Sequence, residues 1–125
     1  MKAEFVTVGI RVKDLQKSMD FYMKLLGMKL VVQGKLEQTK GEWAELTNEN
    51  NGFTLELNYY YENSPYYTEY KLDEELDHLT FKVDDFDIAL EEAKMSGRPI
   101  IDEHKLGKSR WAYIEDPNGI WIQLY

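Results

Sequence analysis

The sequence contains no cysteine, and only two of its 125 residues are histidines. The missing thiols exclude disulfide bonds and cysteine-based catalysis. Basic residues are also scarce, since 23 acidic residues outnumber 15 lysines and arginines and leave a formal charge of −8. This charge opposes binding to nucleic acid or to an anionic membrane surface. No apolar run approaches the ~18 residues that span a bilayer, and the first residues show no signal-peptide pattern, so we expect one compact cytoplasmic domain.

The most informative feature of the sequence is an internal repeat of about half its length. An offset of 71 residues places Thr7 on His78, and an offset of 67 residues places Glu56 on Gln123. In each copy a strand-like run reaches an aspartate, a helical pattern follows, and a glycine closes that pattern. The repeat therefore pairs four polar side chains at matching positions of two modules.

Apolar periodicity predicts the order β-α-β-β-β in each copy. Asp14 is a suitable cap for the first helix and Gly27 a suitable stop. In module one (1–60) the predicted elements are residues 4–12, 14–26, 28–33, 43–47 and 53–60, with a tight turn at 48–52. In module two (76–125) they are residues 76–83, 85–96, 99–103, 110–115 and 120–125. Residues 61–75 show no period and are expected to form the linker.

Two such modules, each curling into half a barrel, predict an α+β fold in which a curved, barrel-like mixed sheet surrounds a cleft and the helices lie outside. Strand parity then indicates which side chains line the cleft. Leu55 and Leu57 alternate with Glu56 and Asn58, and alternate residues of a strand point to opposite faces. We therefore expect Glu56 on the concave face, away from the helix.

Four stretches of the sequence resemble the vicinal oxygen chelate superfamily, and within it glyoxalase I most closely. They are IRVKDLQKSMDFYMKLLGMKL at 10–30, LEL at 55–57, DHLTFKVD at 77–84 and EDPNGIWIQL at 115–124. The resemblance covers nearly the whole chain. It implies paired βαβββ modules, a homodimer with clefts at the interface, and a divalent metal bound by one residue from the first and last strand of each module.

The resemblance places the four metal ligands at Thr7, Glu56, His78 and Gln123. Glu56 and His78 match the family pattern, whereas Thr7 replaces a histidine or glutamine and Gln123 replaces a glutamate that also exchanges the substrate proton. Glyoxalase chemistry moves a proton between adjacent carbons through an enediolate, so it needs a base and a cation. An amide cannot be that base, which leaves Glu56 as the candidate catalytic residue. One imidazole, one carboxylate and one amide oxygen, completed by water, could hold Zn²⁺, Ni²⁺ or Mn²⁺ weakly.

The resemblance also implies two substrate-binding residues. Arg11 corresponds to the arginine that contacts the carboxylate of glutathione, and Trp121 lies near the thiol substrate. The structural alternatives are a salt bridge for Arg11 and a core position for Trp121. Tyr60 stands where the family has a glutathione-binding asparagine, which argues against glutathione as the substrate.

Other polar and aromatic residues are expected to have structural roles. His104 is predicted to be a surface residue at a strand-to-loop junction. Lys105, Lys108 and Arg110 fall where relatives carry a flexible loop over the cleft, where they would either meet an anionic ligand or aid solubility. A set of tyrosines is expected in a dimer interface, with an aromatic pocket as the alternative. These are Tyr59, Tyr60, Tyr61, Tyr66, Tyr67 and Tyr70.

Three functions are compatible with these residues, and all three involve a small-molecule ligand. The first is a glyoxalase-I-like isomerase or lyase acting on a hemithioacetal, with Glu56 as base. The second is a metal-free protein that binds a flat drug, as in bleomycin resistance, which the loss of two ligands and the many aromatic residues favour. The third is an extradiol ring-cleaving dioxygenase, which needs two histidines and a glutamate around Fe²⁺. Thr7 and Gln123 argue against this third function.

Overall fold

The computed structural model describes residues 2, 7–49, 52–71, 76 and 78–125, with the backbone alone at residue 106. These residues form eight strands and two α-helices in the order β-α-β-β-β, twice over. The elements are β1 Thr7–Arg11, α1 Leu15–Asp20, β2 Lys29–Leu36, β3 Gly41–Thr47, β4 Thr54–Tyr60, β5 His78–Phe81, α2 Phe86–Met95, β6 Asp102–Leu106, β7 Ser109–Glu115 and β8 Trp121–Leu124. The predicted α+β fold with two tandem βαβββ modules is confirmed.

The chain divides into two compact units, Met1–Tyr70 and Lys71–Tyr125, and each contains one four-stranded sheet. The strand order is β1-β4-β3-β2 in the first sheet and β5-β8-β7-β6 in the second. In both, the first strand of the module pairs in parallel with the last strand, and the remaining pairs are antiparallel. The two sheets therefore have the same topology.

Residues that the repeat equates occupy equivalent positions in the two ladders. The corresponding pairs are Thr7–Thr54 and Gly9–Glu56 in the first sheet, and His78–Trp121 and Thr80–Gln123 in the second. The offsets read from the sequence are thus reproduced in the hydrogen-bonded register. Thr7 and His78 are equivalent in this register, as the alignment predicts.

Each sheet has one buried apolar face and one half-buried face. In β4, Leu55 and Leu57 are buried while Glu56 and Asn58 are half-buried, which confirms the predicted alternation. In β8, Ile122 is buried and the neighbouring Trp121 is half-buried. Helix α1 packs against β3 and β4, and α2 packs against β7. The half-buried faces hold the residues expected in the site.

Matching residues begin and end the two helical segments. The side chains of Asp14 and Asp85 each accept the backbone N–H three residues further along, at 3.0 and 3.1 Å. Gly27 and Gly97 follow the helices with φ of +68° and +80°, a conformation that favours glycine. The predicted cap and stop are confirmed. The predicted helix at 14–26 is α-helical only to Asp20, because Phe21–Leu25 widens into π-helical hydrogen bonding.

The prediction for β6 is wrong by three residues at each end. The strand covers Asp102–Leu106 rather than 99–103, and a two-residue turn with Gly107 at φ +61° joins it to β7. The predicted flexible loop is a paired hairpin, in which Lys105 is opposite Arg110. A period-two pattern cannot fix the end of a hairpin when polar residues continue through the turn.

Arg110 connects this hairpin to helix α2. Its guanidinium donates to Asp87 on the helix at 2.9 Å and to Glu103 on β6 at 3.0 Å, and it lies over the ring of Phe86. The hydrogen bonds to Glu103 and Asp87 raise the pKa of Arg110. Arg110 therefore links helix α2 to the sheet.

Parts of several predicted features lie outside the described residues: positions 4–6 of the first strand, 50–51 of the turn, 72–75 of the linker and 77 of the fifth strand. Residues 61–70 belong to the first unit, where Ser64 donates to Tyr61 and Tyr67 donates to Ser64 through backbone N–H groups. None of the described helices is long and apolar enough to cross a membrane.

Candidate functional site

The four residues expected in the site lie on the half-buried faces of the two sheets. Thr7 and Glu56 belong to the first unit, and His78 and Gln123 belong to the second. All four side chains are half-buried.

The carboxylate of Glu56 is held by its neighbour on the same strand face. The Asn58 side chain donates to Oε1 of Glu56 at 2.9 Å. Gly9 lies opposite Glu56 on β1, where a Cβ atom would stand 3.8 Å from Oε1 and 3.4 Å from Nδ2 of Asn58. The absence of a side chain at Gly9 therefore leaves space beside the carboxylate, which keeps lone pairs for a further partner.

Thr7 is engaged within its own sheet. Its Oγ1 lies 2.6 Å from Oγ1 of Thr54, the residue opposite it on β4. A hydroxyl is in any case a weaker donor to a divalent ion than an imidazole or a carboxylate. Of the two expected ligands in this unit, Glu56 is therefore the stronger.

A second carboxylate, missed by sequence reasoning, lies beside Glu56. Glu45 on β3 is the antiparallel partner of Glu56 on β4, and its side chain is half-buried. Directly opposed residues have Cβ atoms about 4.5–5.5 Å apart. The alternation of Glu45 with Ala44 and Leu46 indicates its face, but only the β3–β4 register shows which residue it opposes.

In the second unit, the amide of Gln123 is fixed by the neighbouring strand. The hydroxyl of Thr80 on β5 donates to Oε1 of Gln123 at 2.9 Å. An amide oxygen has two lone pairs, so this atom can accept one further bond or bind a cation. The imidazole of His78 lies edge-on to the ring of Tyr113, with centroids 5.7 Å apart and planes at 82°.

Five ring side chains meet on this face, and we refer to them as the ring cluster. They are His78, His104, Trp111, Tyr113 and Trp121. Tyr113 occupies the centre, with His104 at 6.2 Å and Trp121 at 5.3 Å between ring centroids. Trp121 is half-buried and shares a strand face with Gln123.

His104 is exposed, as expected, but its predicted position at a strand-to-loop junction is wrong. It lies in the middle of β6 rather than at a junction, and its ring stacks on Trp111 with centroids 5.4 Å apart and planes at 22°. Its Nε2 lies 2.9 Å from a carboxylate oxygen of Asp102. Asp102 and His104 are two residues apart, which places them on the same face only if both lie in one strand. The predicted strand ended at residue 103, so the sequence did not indicate this pair.

Arg11 lies at the end of β1 and contacts the segment that follows β4. Its guanidinium donates to the hydroxyl of Thr68 and lies 5.1 Å above the ring centroid of Tyr60. Tyr60 in turn lies 6.1 Å from Tyr66. These contacts hold Arg11 on the same strand face as Gly9, two residues away.

The donor atoms fit a divalent metal ion only in part. Glu56 and His78 are ordinary ligands for Zn²⁺, Ni²⁺ or Mn²⁺, and the amide oxygen of Gln123 is a weaker one. Among the described residues, no three histidine, aspartate or glutamate side chains form a metal-binding group. Each unit therefore offers donors that suit such an ion, Glu56 in the first and His78 with Gln123 in the second.

Comparison with known proteins gives one consistent family. Residues 4–124 match the model of the Glyoxalase/Bleomycin resistance protein/Dioxygenase superfamily. The lactoylglutathione lyase of Escherichia coli O157:H7 is 32% identical over 120 residues, which cover 92% of this chain and 86% of that protein. The trypanothione-dependent glyoxalase I of Leishmania major has a similar structure, with a TM-score of 0.81, 30% identity and coverage of 98% and 86%.

An antibiotic-binding protein has the same fold. TnmS3 from Streptomyces sp. CB03234 superposes with a TM-score of 0.75 over 99% of this chain and 96% of its own. The identity of 22% means that this likeness concerns the fold alone.

Proposed function

Because the chain belongs to the Glyoxalase/Bleomycin resistance protein/Dioxygenase superfamily, we propose that it is a glyoxalase-type lyase that isomerises a small oxygenated substrate such as a hemithioacetal. The observation that carries this proposal is Glu56, a half-buried carboxylate oriented by Asn58 beside the space left at Gly9. Lactoylglutathione lyases at 31–32% identity over 92% of the chain support the same reaction class.

In this proposal Glu56 is the base. It removes the proton from the hydroxyl-bearing carbon and returns a proton to the adjacent carbon, while the hydroxyl proton passes to the oxygen of that carbon, so the product is an isomer and no electrons are gained or lost. Asn58 keeps one carboxylate oxygen oriented during both transfers. Gln123, an amide, serves to bind and cannot exchange a proton.

His78 and Gln123 join Glu56 as the proposed donors to a divalent metal ion. This grouping rests on the family resemblance and on the equivalence of these positions in the repeat. When bound, the ion supplies the positive charge that stabilises the enediolate oxygens. Thr7, engaged with Thr54, contributes least.

Two residues are proposed as substrate contacts. The guanidinium of Arg11 is oriented by Tyr60 and Thr68 and would bind a carboxylate of the substrate. Trp121 would supply an apolar wall near the thiol portion. Tyr60 stands where a glutathione-binding asparagine is expected, so the proposal does not specify which thiol forms the substrate. We also propose a single functional domain and a homodimer.

The ring cluster favours one second function, the metal-free binding of a flat aromatic molecule. Stacked and edge-on rings offer a large apolar surface at little cost in side-chain entropy. A ring-cleaving dioxygenase is not supported in the same way, because only one of the four expected ligand positions carries a histidine.

The test is metal binding followed by catalysis, with the purified full-length chain. We expect stoichiometric metal by elemental analysis, saturable titration with Ni²⁺, Zn²⁺ or Mn²⁺, and loss of both in His78→Ala. With methylglyoxal hemithioacetals of several thiols, Glu56→Gln should lower kcat by about 10³-fold, within the range for a lost general base. Glu42→Gln, on the opposite face of the same sheet, is the matched control and should retain full activity.

Two results would refute the proposed enzymatic activity. One is a wild-type protein that binds none of the three ions and has the same Tm with and without them. The other is full activity in Glu56→Gln. A screen of aromatic ligands would then test the second function, with Trp121→Ala expected to weaken any binding.

A further inference from the structure

Tyr113 lies between the two histidines of the chain. Its ring meets both imidazoles edge-on, His78 at 5.7 Å and 82°, and His104 at 6.2 Å and 83°. Tyr113 is on β7, the strand between β8 and β6, directly opposite Gln123 and Asp102. One side chain therefore stands beside the proposed ligands His78 and Gln123.

The phenol ring is itself held in place. Trp121 is the register partner of His78 in the β5–β8 pair, and its ring centroid lies 5.3 Å from that of Tyr113. A half-buried ring with neighbours on two sides has few free rotamers. Tyr113 thus forms a fixed wall against which the imidazole of His78 rests.

The repeat does not supply this wall in module one. Glu45 stands opposite Glu56 there, as Tyr113 stands opposite Gln123. The tyrosine is consequently a feature of the module that carries the histidine. Histidines that bind metals commonly have their rings oriented by a neighbouring group, and loss of that group weakens metal binding.

We propose that Tyr113 is a positioning residue that holds the imidazole of His78 in the orientation required to bind a divalent metal ion. The edge-to-face contact belongs to the ring, so the hydroxyl is not required. The proposal rests on the proposed function for the role of His78 as a ligand, but the orientation itself can be measured without metal.

The experiment compares Tyr113→Leu with Tyr113→Phe in the metal-free, full-length protein at fixed pH. The chain has two histidines, so His78→Gln assigns both imidazoles in NMR spectra. We expect the order parameter of the His78 ring C–H bonds to fall in Tyr113→Leu and to be unchanged in Tyr113→Phe. Affinity for Zn²⁺ should fall about 10-fold in Tyr113→Leu and recover in Tyr113→Phe.

Trp111→Leu is the matched control, because Trp111 stacks on His104 and not on His78. It should change the signals of His104 and leave the order parameter of His78 unaltered. If leucine disturbs the fold, Tyr113→Thr provides a β-branched residue suited to a strand and tests the same point.

An unchanged His78 order parameter in every folded variant that lacks the ring would overturn the proposal. A wild-type protein that binds no Zn²⁺ would refute the metal-dependent function instead, while the order parameters would still decide the role of Tyr113.

Discussion

The neighbours of an individual side chain in this protein are mostly residues on the paired strand. Glu56 could be assigned to the concave face from alternation alone, since Leu55 and Leu57 flank it. Glu45 could not be recognised as its neighbour, because the pairing depends on the length of the turn between β3 and β4. The relation of Tyr113 to His78 was hidden for a similar reason, since it depends on the register of the parallel β5–β8 pair, which no local pattern gives.

Glu45→Gln is expected to stabilise the protein. Glu45 and Glu56 are directly opposed, and like charges in that arrangement are destabilising. Removing one charge should raise the free energy of unfolding by about 0.5 kcal/mol, measured by urea denaturation near neutral pH. Glu42→Gln on the same strand is the control, because Glu42 pairs with Lys35 at 3.1 Å and should give no gain. Equal stability of the two variants would contradict the repulsion.

At the level of elements, the sequence predicted best where one short segment contains its own stabilising contacts. The predicted end of β7 at residue 115 and start of β8 at residue 120 are an example, and the turn that joins these strands contains such contacts. Asp116 and Asn118 are 2% and 1% exposed, and Oδ1 of Asp116 accepts the N–H groups of Asn118 and Ile120 at 2.7 and 2.8 Å. Gly119 adopts φ +83°. β6 lacked such a signal, because its polar residues continue into the hairpin turn at Gly107.

Asp116→Ala should be strongly destabilising. The substitution leaves two buried backbone N–H groups and the Asn118 amide, which donates to Oδ2 at 2.8 Å, without their acceptor. Hydrogen bonds to a charged group are each worth about 1.5–3 kcal/mol, so we expect a loss of about 3 kcal/mol in urea denaturation. Glu115→Ala, at the half-buried neighbouring position, should cost less than half as much. A loss below 1 kcal/mol in Asp116→Ala would show that the turn does not depend on its carboxylate.

For the whole molecule, the repeat determined the topology because each module is encoded by local patterns and short connections. The sequence gives less information about assembly. The expected homodimer interface was assigned to tyrosines from their number alone, without any strand pairing between copies of the chain. Tyr66 and Tyr67 are indeed 54% and 44% exposed. The outer strand β2 is a second candidate, because Val31 and Val32 are 53% and 42% exposed on an edge of the first sheet. Exposed apolar side chains on an edge strand favour association with another chain.

The two interfaces predict different effects of a single charge. If copies of the chain associate through β2, Val31→Lys buries an unpaired ammonium group and should raise the dimer Kd at least 10-fold, whereas Tyr67→Lys should leave it unchanged. Sedimentation equilibrium at several protein concentrations measures both. Ile88→Lys, at a 58% exposed position on α2, controls for the added charge. Dissociation by Tyr67→Lys alone would assign the interface to the tyrosines, and a monomeric wild type would exclude both interfaces.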